Sequence, residues 1–255
     1  MNTASLFDLT GKTALVTGGS SGIGQAMATA LAYAGARVIL VARDAAALAQ
    51  AVDRLRTDNL QADHMAADLS QPESALACAT AALKKYPEID ILVNAAGVNL
   101  RQPFTDVTPK SWNQQINLLL AAPFFMTQGL APQMAARKWG RIINMASLQS
   151  FRAFENSAPY GASKGGIVQL TRATAQAWST SGVTCNAIGP GFFPTKLTDS
   201  VFSNPELAAR RAMQTCAQRN GKLEDLYGCA VFLASNASAY ITGQTIMIDG
   251  GFTAC

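Results

Sequence analysis

Short apolar runs, several of them rich in β-branched residues, recur along the chain between longer stretches in which apolar positions return at helical spacing. The runs are TALVT at 13–17, RVILVA at 37–42, DILVN at 90–94, RIINMA at 141–146, VTCNAI at 183–188 and TIMID at 245–249, with ADHMAA at 62–67 a weaker seventh. They are apolar throughout rather than alternating, as strands covered on both faces of a parallel sheet must be. The Ala- and Leu-rich segments 22–34, 44–57, 73–85, 111–138, 158–180 and 224–235 are long enough for the crossover helices such a sheet needs. The pattern therefore predicts an α/β protein, a single domain over 1–255 built on a doubly wound parallel sheet of about seven strands with helices on both faces. No repeat, low-complexity tract or linker divides it.

Composition adds mainly exclusions. A chain of 255 residues, 49% of them hydrophobic, suffices for one large core. Its net charge of +4 is scattered, apart from small groups such as Arg137, Lys138 and Arg141 or Arg210 and Arg211. Nucleic-acid binding asks for a concentrated basic stripe instead. No apolar run approaches the roughly 20 residues that span a bilayer, and MNTASLFDLTGK lacks the zones of a secretory signal. A soluble, cytoplasmic protein is expected, with neither nucleic acid nor membrane as partner. Cys78, Cys185, Cys216, Cys229 and Cys255 are odd in number and far apart, which argues against a disulfide framework or structural zinc. His64 is the only histidine, so no metal site built on several His ligands can form.

Two stretches carry candidate chemistry. TGGSSGIG at 17–24 follows the first predicted strand and opens the first predicted helix. Gly18, Gly22 and Gly24 let the backbone turn tightly and approach a pyrophosphate, while the helix N-terminus presents unpaired N–H groups to the anion. The second stretch is YGASKGG at 160–166, which places Tyr160 and Lys164 four residues apart on one helix face. By itself that pair reads equally well as an ordinary helix start.

With these motifs in order, the chain resembles the short-chain dehydrogenase/reductase family over essentially its whole length. The loop carrying Gly18, Ser20, Ser21, Gly22, Ile23 and Gly24 is similar to the family's cofactor loop, and Asp68, followed by Leu69, to its adenine-contacting acid. Asn94, Ala95 and Gly97 belong to an NAAG motif like the one after the family's fourth strand. Asn117, Ser147, Tyr160 and Lys164 match its catalytic set, and Pro190, Gly191, Phe193 and Thr195 its loop beside the nicotinamide.

The resemblance implies a reaction, the interconversion of a secondary alcohol and a ketone by hydride transfer to or from a nicotinamide. Tyr160 would carry the proton. A free phenol has a pKa of about 10, too high for a base at neutral pH, so Lys164, bonded to the cofactor ribose, is expected to lower it. Ser147 would hold the substrate oxygen, and Asn117 a water linking Lys164 to solvent.

An acid at the end of the second strand would favour NAD, whereas an arginine there suits the 2′-phosphate of NADP. The expected position is Ala42, followed by Arg43, so NADP is the expected cofactor; Asp44 and the absence of a second basic residue at Ser20 and Ser21 leave room for NAD. The segment 192–220 should form a substrate lid. Arg101, just past NAAG, should reach the ligand end of the sheet, where it would either meet a substrate carboxylate or remain a surface or interface arginine. This local pattern resembles the gluconate 5-dehydrogenase branch and implies a sugar acid such as gluconate and 5-ketogluconate. Arg152 is a second residue expected near the mouth. Three alternatives stay open: a 3-oxoacyl-(acyl carrier protein) reductase docking through Arg137, Lys138 and Arg141, a general carbonyl reductase, and a dinucleotide-sensing regulator without chemistry. The family resemblance further implies a homotetramer built through 111–138, 158–180 and the C-terminal DGGFTAC.

Overall fold

The computed structural model describes residues 2–254; Cys255, in the expected subunit-contact segment, lies outside them. One seven-stranded sheet forms the centre, in the order β3-β2-β1-β4-β5-β6-β7. Its strands are β1 (Thr13–Thr17), β2 (Arg37–Ala42), β3 (Ala62–Ala66), β4 (Ile91–Asn94), β5 (Gly140–Met145), β6 (Val183–Pro190) and β7 (Thr245–Ile248). Every pairing is parallel.

The apolar runs explain the layers. Along β1, Ala14 and Val16 face a core packed by α1 (Gly22–Tyr33), α2 (Ala45–Thr57) and α9 (Tyr227–Ala234), whereas Leu15 faces the opposite core. That second core is closed by α3 (Pro72–Lys85), α5 (Ala122–Ala136) and α6 (Ala158–Trp178). Because successive side chains point to opposite faces, a strand covered on both sides has no polar face to alternate with.

The predicted helix 111–138 is in fact two, α4 (Pro109–Ile116) and α5, joined by a π turn over Asn117–Ala121. The Ala122 N–H reaches back to the Asn117 carbonyl, an i→i+5 bond, and Pro123 has no N–H to donate to the turn behind it. Between β6 and α9 lie α7 (Asp199–Phe202) and α8 (Pro205–Met213). The segment that carries them is tied down at its end by a two-pronged ion pair, Arg219 to Asp225, at 2.6 and 3.0 Å.

The strand order reverses at β1, whose neighbours are β2 and β4. At such a switch point the loops leaving the carboxyl ends of adjacent strands diverge and open a crevice.

Candidate active site

The crevice is walled by the loops after β1 and β4, which touch. Gly18 has φ +68°, and a Cβ on it would stand 2.8 Å from the Ala95 carbonyl oxygen and the Ala96 backbone, so only glycine permits the approach. Thr17 locks the contact: its hydroxyl accepts hydrogen bonds from the N–H groups of Ala95 (3.0 Å) and Ala96 (3.2 Å). A Cβ on Gly24 would collide with the Gly18 carbonyl, which fixes how closely α1 follows the turn. Ser21 stands at the N-cap of α1 without a side-chain capping bond, so its hydroxyl leaves the first N–H groups of the helix for another acceptor.

From this point a groove of about 940 Å³ runs over the carboxyl ends of β1 and β2, lined by Gly18, Ser20, Ser21, Gly22, Ile23 and Gly24 and farther along by Arg43, Asp68 and Leu69. Its volume, its glycine-lined turn and its open helix terminus fit a dinucleotide. Arg43 lines the groove just past the carboxyl end of β2. Asp44 is occupied as the N-cap of α2, accepting from Ala47 N at 3.0 Å, which accounts for an acid beside the arginine.

A second cavity of about 680 Å³ adjoins the groove, and Ile23, Ala95, Gly97, Arg101 and Thr195 line both. Here the structure brings together Ser147, Tyr160 and Lys164 with Pro190, Gly191 and Phe193. Ser147 follows β5 and heads a short turn, its hydroxyl accepting from Gln149 N at 3.1 Å. Ser150 from that turn donates to the Lys164 carbonyl at 2.7 Å, stitching the serine loop to α6. Tyr160 and Lys164 share one buried face of α6, at 7% and 5% exposure.

Burial governs both. It holds the Tyr160 phenol above its ordinary pKa of 10, against the hydrogen bond from Ser147 and the charge of Arg101, which pull it down. It lowers Lys164 to about 8. Within the protein alone, Lys164 is not among the groups that pull the phenol down. The ammonium is itself desolvated, and it donates to the Met145 carbonyl at 2.6 Å.

Asn117 sits on the π turn, which packs against α6, and lines neither cavity. The Asn94 side chain, expected at the cofactor, is instead buried in the core and donates to Asn144 Oδ1 at 2.9 Å; Asn144 in turn donates to Thr171 of α6 at 3.0 Å. Asn94 and Asn144 occupy paired positions of adjacent strands, so their side chains lie side by side on one face of the sheet. The post-strand motif contributes Ala95 and Gly97 to the walls.

Arg101 has φ +49°, a left-handed conformation uncommon for arginine, held by its N–H donating to Asn99 Oδ1 at 3.2 Å. Arg152 lines the smaller cavity, as expected. Sequence reasoning missed the opposite wall, where Phe154, Phe192 and Phe252 meet at centroid distances of 5.7–6.2 Å and Arg211 lies over two of the rings. These residues come from three distant segments with no local motif. The basic group Arg137, Lys138 and Arg141 lies elsewhere, at the amino end of β5, away from both cavities. Arg137 pairs with Asp90 at 3.2 Å, and Arg141 is buried and donates to the Ser235 carbonyl at 3.0 Å.

A doubly wound sheet with a dinucleotide-shaped groove, opening onto a half-buried Ser beside a buried Tyr and Lys, defines a dinucleotide-dependent oxidoreductase. Residues 18–253 match the sequence family described as Enoyl-(Acyl carrier protein) reductase. The gluconate 5-dehydrogenase of Gluconobacter oxydans (strain 621H) is 37% identical over 253 residues, 99% of each chain. The 5-keto-D-gluconate 5-reductase of Escherichia coli (strain K12) is 35% identical over 246 residues, 96% of this chain and 97% of that one. A crystal structure of a gluconate 5-dehydrogenase from Burkholderia cenocepacia J2315, in complex with NADP and tartrate, superposes with a TM-score of 0.95 at 35% identity and covers 100% of both chains. The chain belongs to the short-chain dehydrogenase/reductase family, in its gluconate 5-dehydrogenase branch, and is an oxidoreductase acting on CH–OH groups. Among the described residues, no helix is long and apolar enough to cross a membrane, and no cluster of acidic, Cys or His side chains could hold a metal.

Proposed function

We propose that the protein interconverts the hydroxyl and keto forms of a sugar acid of the gluconate/5-ketogluconate type with NADP(H). The observation that carries this reading is the convergence of Ser147, Tyr160 and Lys164 with Arg101 in one cavity beside the dinucleotide groove. The groove residues from Gly18 to Gly24 with Arg43 would hold NADP(H), whose nicotinamide would supply or accept the hydride and, when oxidised, would carry a positive charge that favours phenolate.

The chain's own residues manage the proton. Ser147 holds the substrate oxygen and stabilises the charge that develops on it. Tyr160 takes or gives the proton at its phenolic oxygen, helped by the Ser147 hydrogen bond and the Arg101 charge. Lys164, with its pKa at about 8, passes the proton onward, and Asn117 holds the water of that relay. Arg43 takes the cofactor's 2′-phosphate, Arg101 the substrate carboxylate. The segment 192–220 serves as the lid, within a single domain. Gluconate 5-dehydrogenase and 5-ketogluconate reductase relatives support the sugar-acid class, and the NADP bound to the Burkholderia protein supports the cofactor. Exposed Trp112 on α4 and Phe124 on α5 are consistent with burial in a cytoplasmic homotetramer. NADPH-dependent reduction of 5-keto-D-gluconate, followed by absorbance, tests the reading; consumption of NADPH with neutral ketones but no sugar acid would leave only a general carbonyl reductase.

A further inference from the structure

The charged residues lining the dinucleotide groove are Arg43, Asp44, Asp68, Arg101 and Lys196. Both carboxylates are engaged locally: Asp44 caps α2, and Asp68 Oδ1 accepts from Ser70 N at 3.0 Å. With Arg43 assigned to the 2′-phosphate and Arg101 to the substrate carboxylate, one cation of the groove is left without a role. The glycine turn at 17–24 contains no basic residue, so a pyrophosphate there would meet only backbone N–H groups and the α1 terminus.

Lys196 comes from the opposite wall, near the start of the segment after β6. Its neighbour Thr195 rests on the first residue of α1: a Cβ on Gly22 would stand 3.2 Å from Thr195 Cγ2. A short turn over Lys196–Thr198 then fixes the backbone. Thr195 N donates to Thr198 Oγ1 at 3.0 Å, and Thr198 Oγ1 donates back to the Thr195 carbonyl at 3.1 Å. Lys196 thus follows directly on the contact with the helix terminus. It is exposed and, among the described residues, its ammonium has no ion pair or hydrogen bond.

The segment divides its faces between the two cavities. Lys196 and Ser200, four residues apart, line only the groove, whereas Thr198 and Val201 line only the substrate cavity and Leu197 lines both. The turn that carries a charge on the dinucleotide side therefore also carries the apolar wall of the substrate side.

From this arrangement we infer that Lys196 is the cation that answers the dinucleotide's pyrophosphate, supplied by the lid rather than by the glycine turn. An ammonium on a flexible four-carbon stem meets a phosphate as a point charge and asks for no fixed geometry. The inference rests on the NADP(H) reading above and adds a contact that NADPH and NADH share, since both carry the pyrophosphate and only NADPH the 2′-phosphate. It makes the segment 192–220 part of the cofactor site as well as a cover for the substrate.

Fluorescence titration of NADPH and of NADH into wild type, Lys196→Met and Lys196→Arg tests this without turnover, and thermal melting identifies any variant that fails to fold. Lys196→Met should raise both dissociation constants by the same factor, ~3- to 10-fold, between the scales of an exposed ion pair and a charge-assisted hydrogen bond. Lys196→Arg should restore most of the loss, and the loss should shrink as salt rises from about 0.01 M to about 1 M. In wild type, ADP-ribose, which has the pyrophosphate but neither nicotinamide nor 2′-phosphate, should slow acetylation of Lys196 by acetic anhydride, read by mass spectrometry against exposed Lys110 on α4. AMP, with a single phosphate, should protect far less. Unchanged constants for both dinucleotides overturn the assignment. So does a loss confined to NADPH, which would give Lys196 to the 2′-phosphate, or a raised KM for 5-keto-D-gluconate with both constants unchanged, which would give it to the substrate. A wild type that binds NADH more tightly than NADPH overturns the NADP preference instead, and the NADH and ADP-ribose results then decide Lys196 by themselves. A wild type that binds neither dinucleotide overturns both readings.

Discussion

Lys164 Nζ lies 5.6 Å from the centre of the Tyr160 ring, yet it gives its hydrogen bond to the Met145 carbonyl at 2.6 Å. The two side chains thus share a buried pocket in which the lysine gives this hydrogen bond to the backbone. Tyr160 has Ser147 as its hydrogen-bonding partner, and burial keeps its phenol protonated.

Tyr160→Phe should abolish turnover while preserving NADPH affinity, because it removes the proton carrier and keeps the ring that packs the cavity. The loss in kcat should be at least ~10²-fold, the scale of general acid–base catalysis. Steady-state rates alongside a fluorescence titration of NADPH check both halves; a near-normal kcat would remove Tyr160 from the mechanism.

Burial lowers Lys164 from 10.5 to about 8, so its ammonium costs the fold stability. At neutral pH the folded and unfolded chains both hold the proton and the cost is complete. Between pH 8 and about 10.5 the unfolded chain holds more of it, so stability rises with pH. Denaturant unfolding of wild type against Lys164→Met should show wild type gaining up to ~3 kcal/mol on the variant across that window. A constant difference would place the ammonium in solvent.

Arg43→Ala should weaken NADPH by at least ~10-fold and NADH far less, since a 2′-phosphate can take two charge-assisted bonds from one guanidinium. The two dissociation constants, measured at one salt concentration, decide this. A wild type that already favours NADH would mean that Arg43 only stacks on the adenine.

Arg101→Ala should raise KM for sugar acids by ~10-fold or more and leave neutral ketones nearly unaffected, the signature of lost uniform binding. Equal effects on both classes would make Arg101 a loop-shaping residue, consistent with its φ of +49°.

Thr17→Val should cost ~1–3 kcal/mol, because the Ala95 and Ala96 N–H groups would lose their acceptor at a partly buried position. The same substitution should weaken cofactor binding by loosening the contact between the β1 and β4 loops. Chemical denaturation and NADPH titration read the two effects.

Much of this molecule was legible in the chain. The apolar runs located all seven strands to within two residues at each end because a strand covered on both faces is mostly apolar rather than alternating. The glycine turn and the Tyr160, Lys164 pair were legible because each is local, fixed by backbone conformation or by helical spacing. Tertiary structure decided the rest. The π turn at Asn117 interrupts a segment whose periodicity reads as one helix, and Asn94 was drawn into the core by Asn144, a partner fifty positions away on the neighbouring strand. The sign of the Tyr160 shift depends on how deeply the phenol is buried, a quantity that no spacing encodes. The aromatic cluster and Arg211 meet only because the segments after β5 and β6 and the C-terminal residues fold over one cavity. Sequence patterns record what each residue needs from its neighbours in the chain, whereas charge, burial and specificity at a site depend on contacts between segments that only the folded chain brings together.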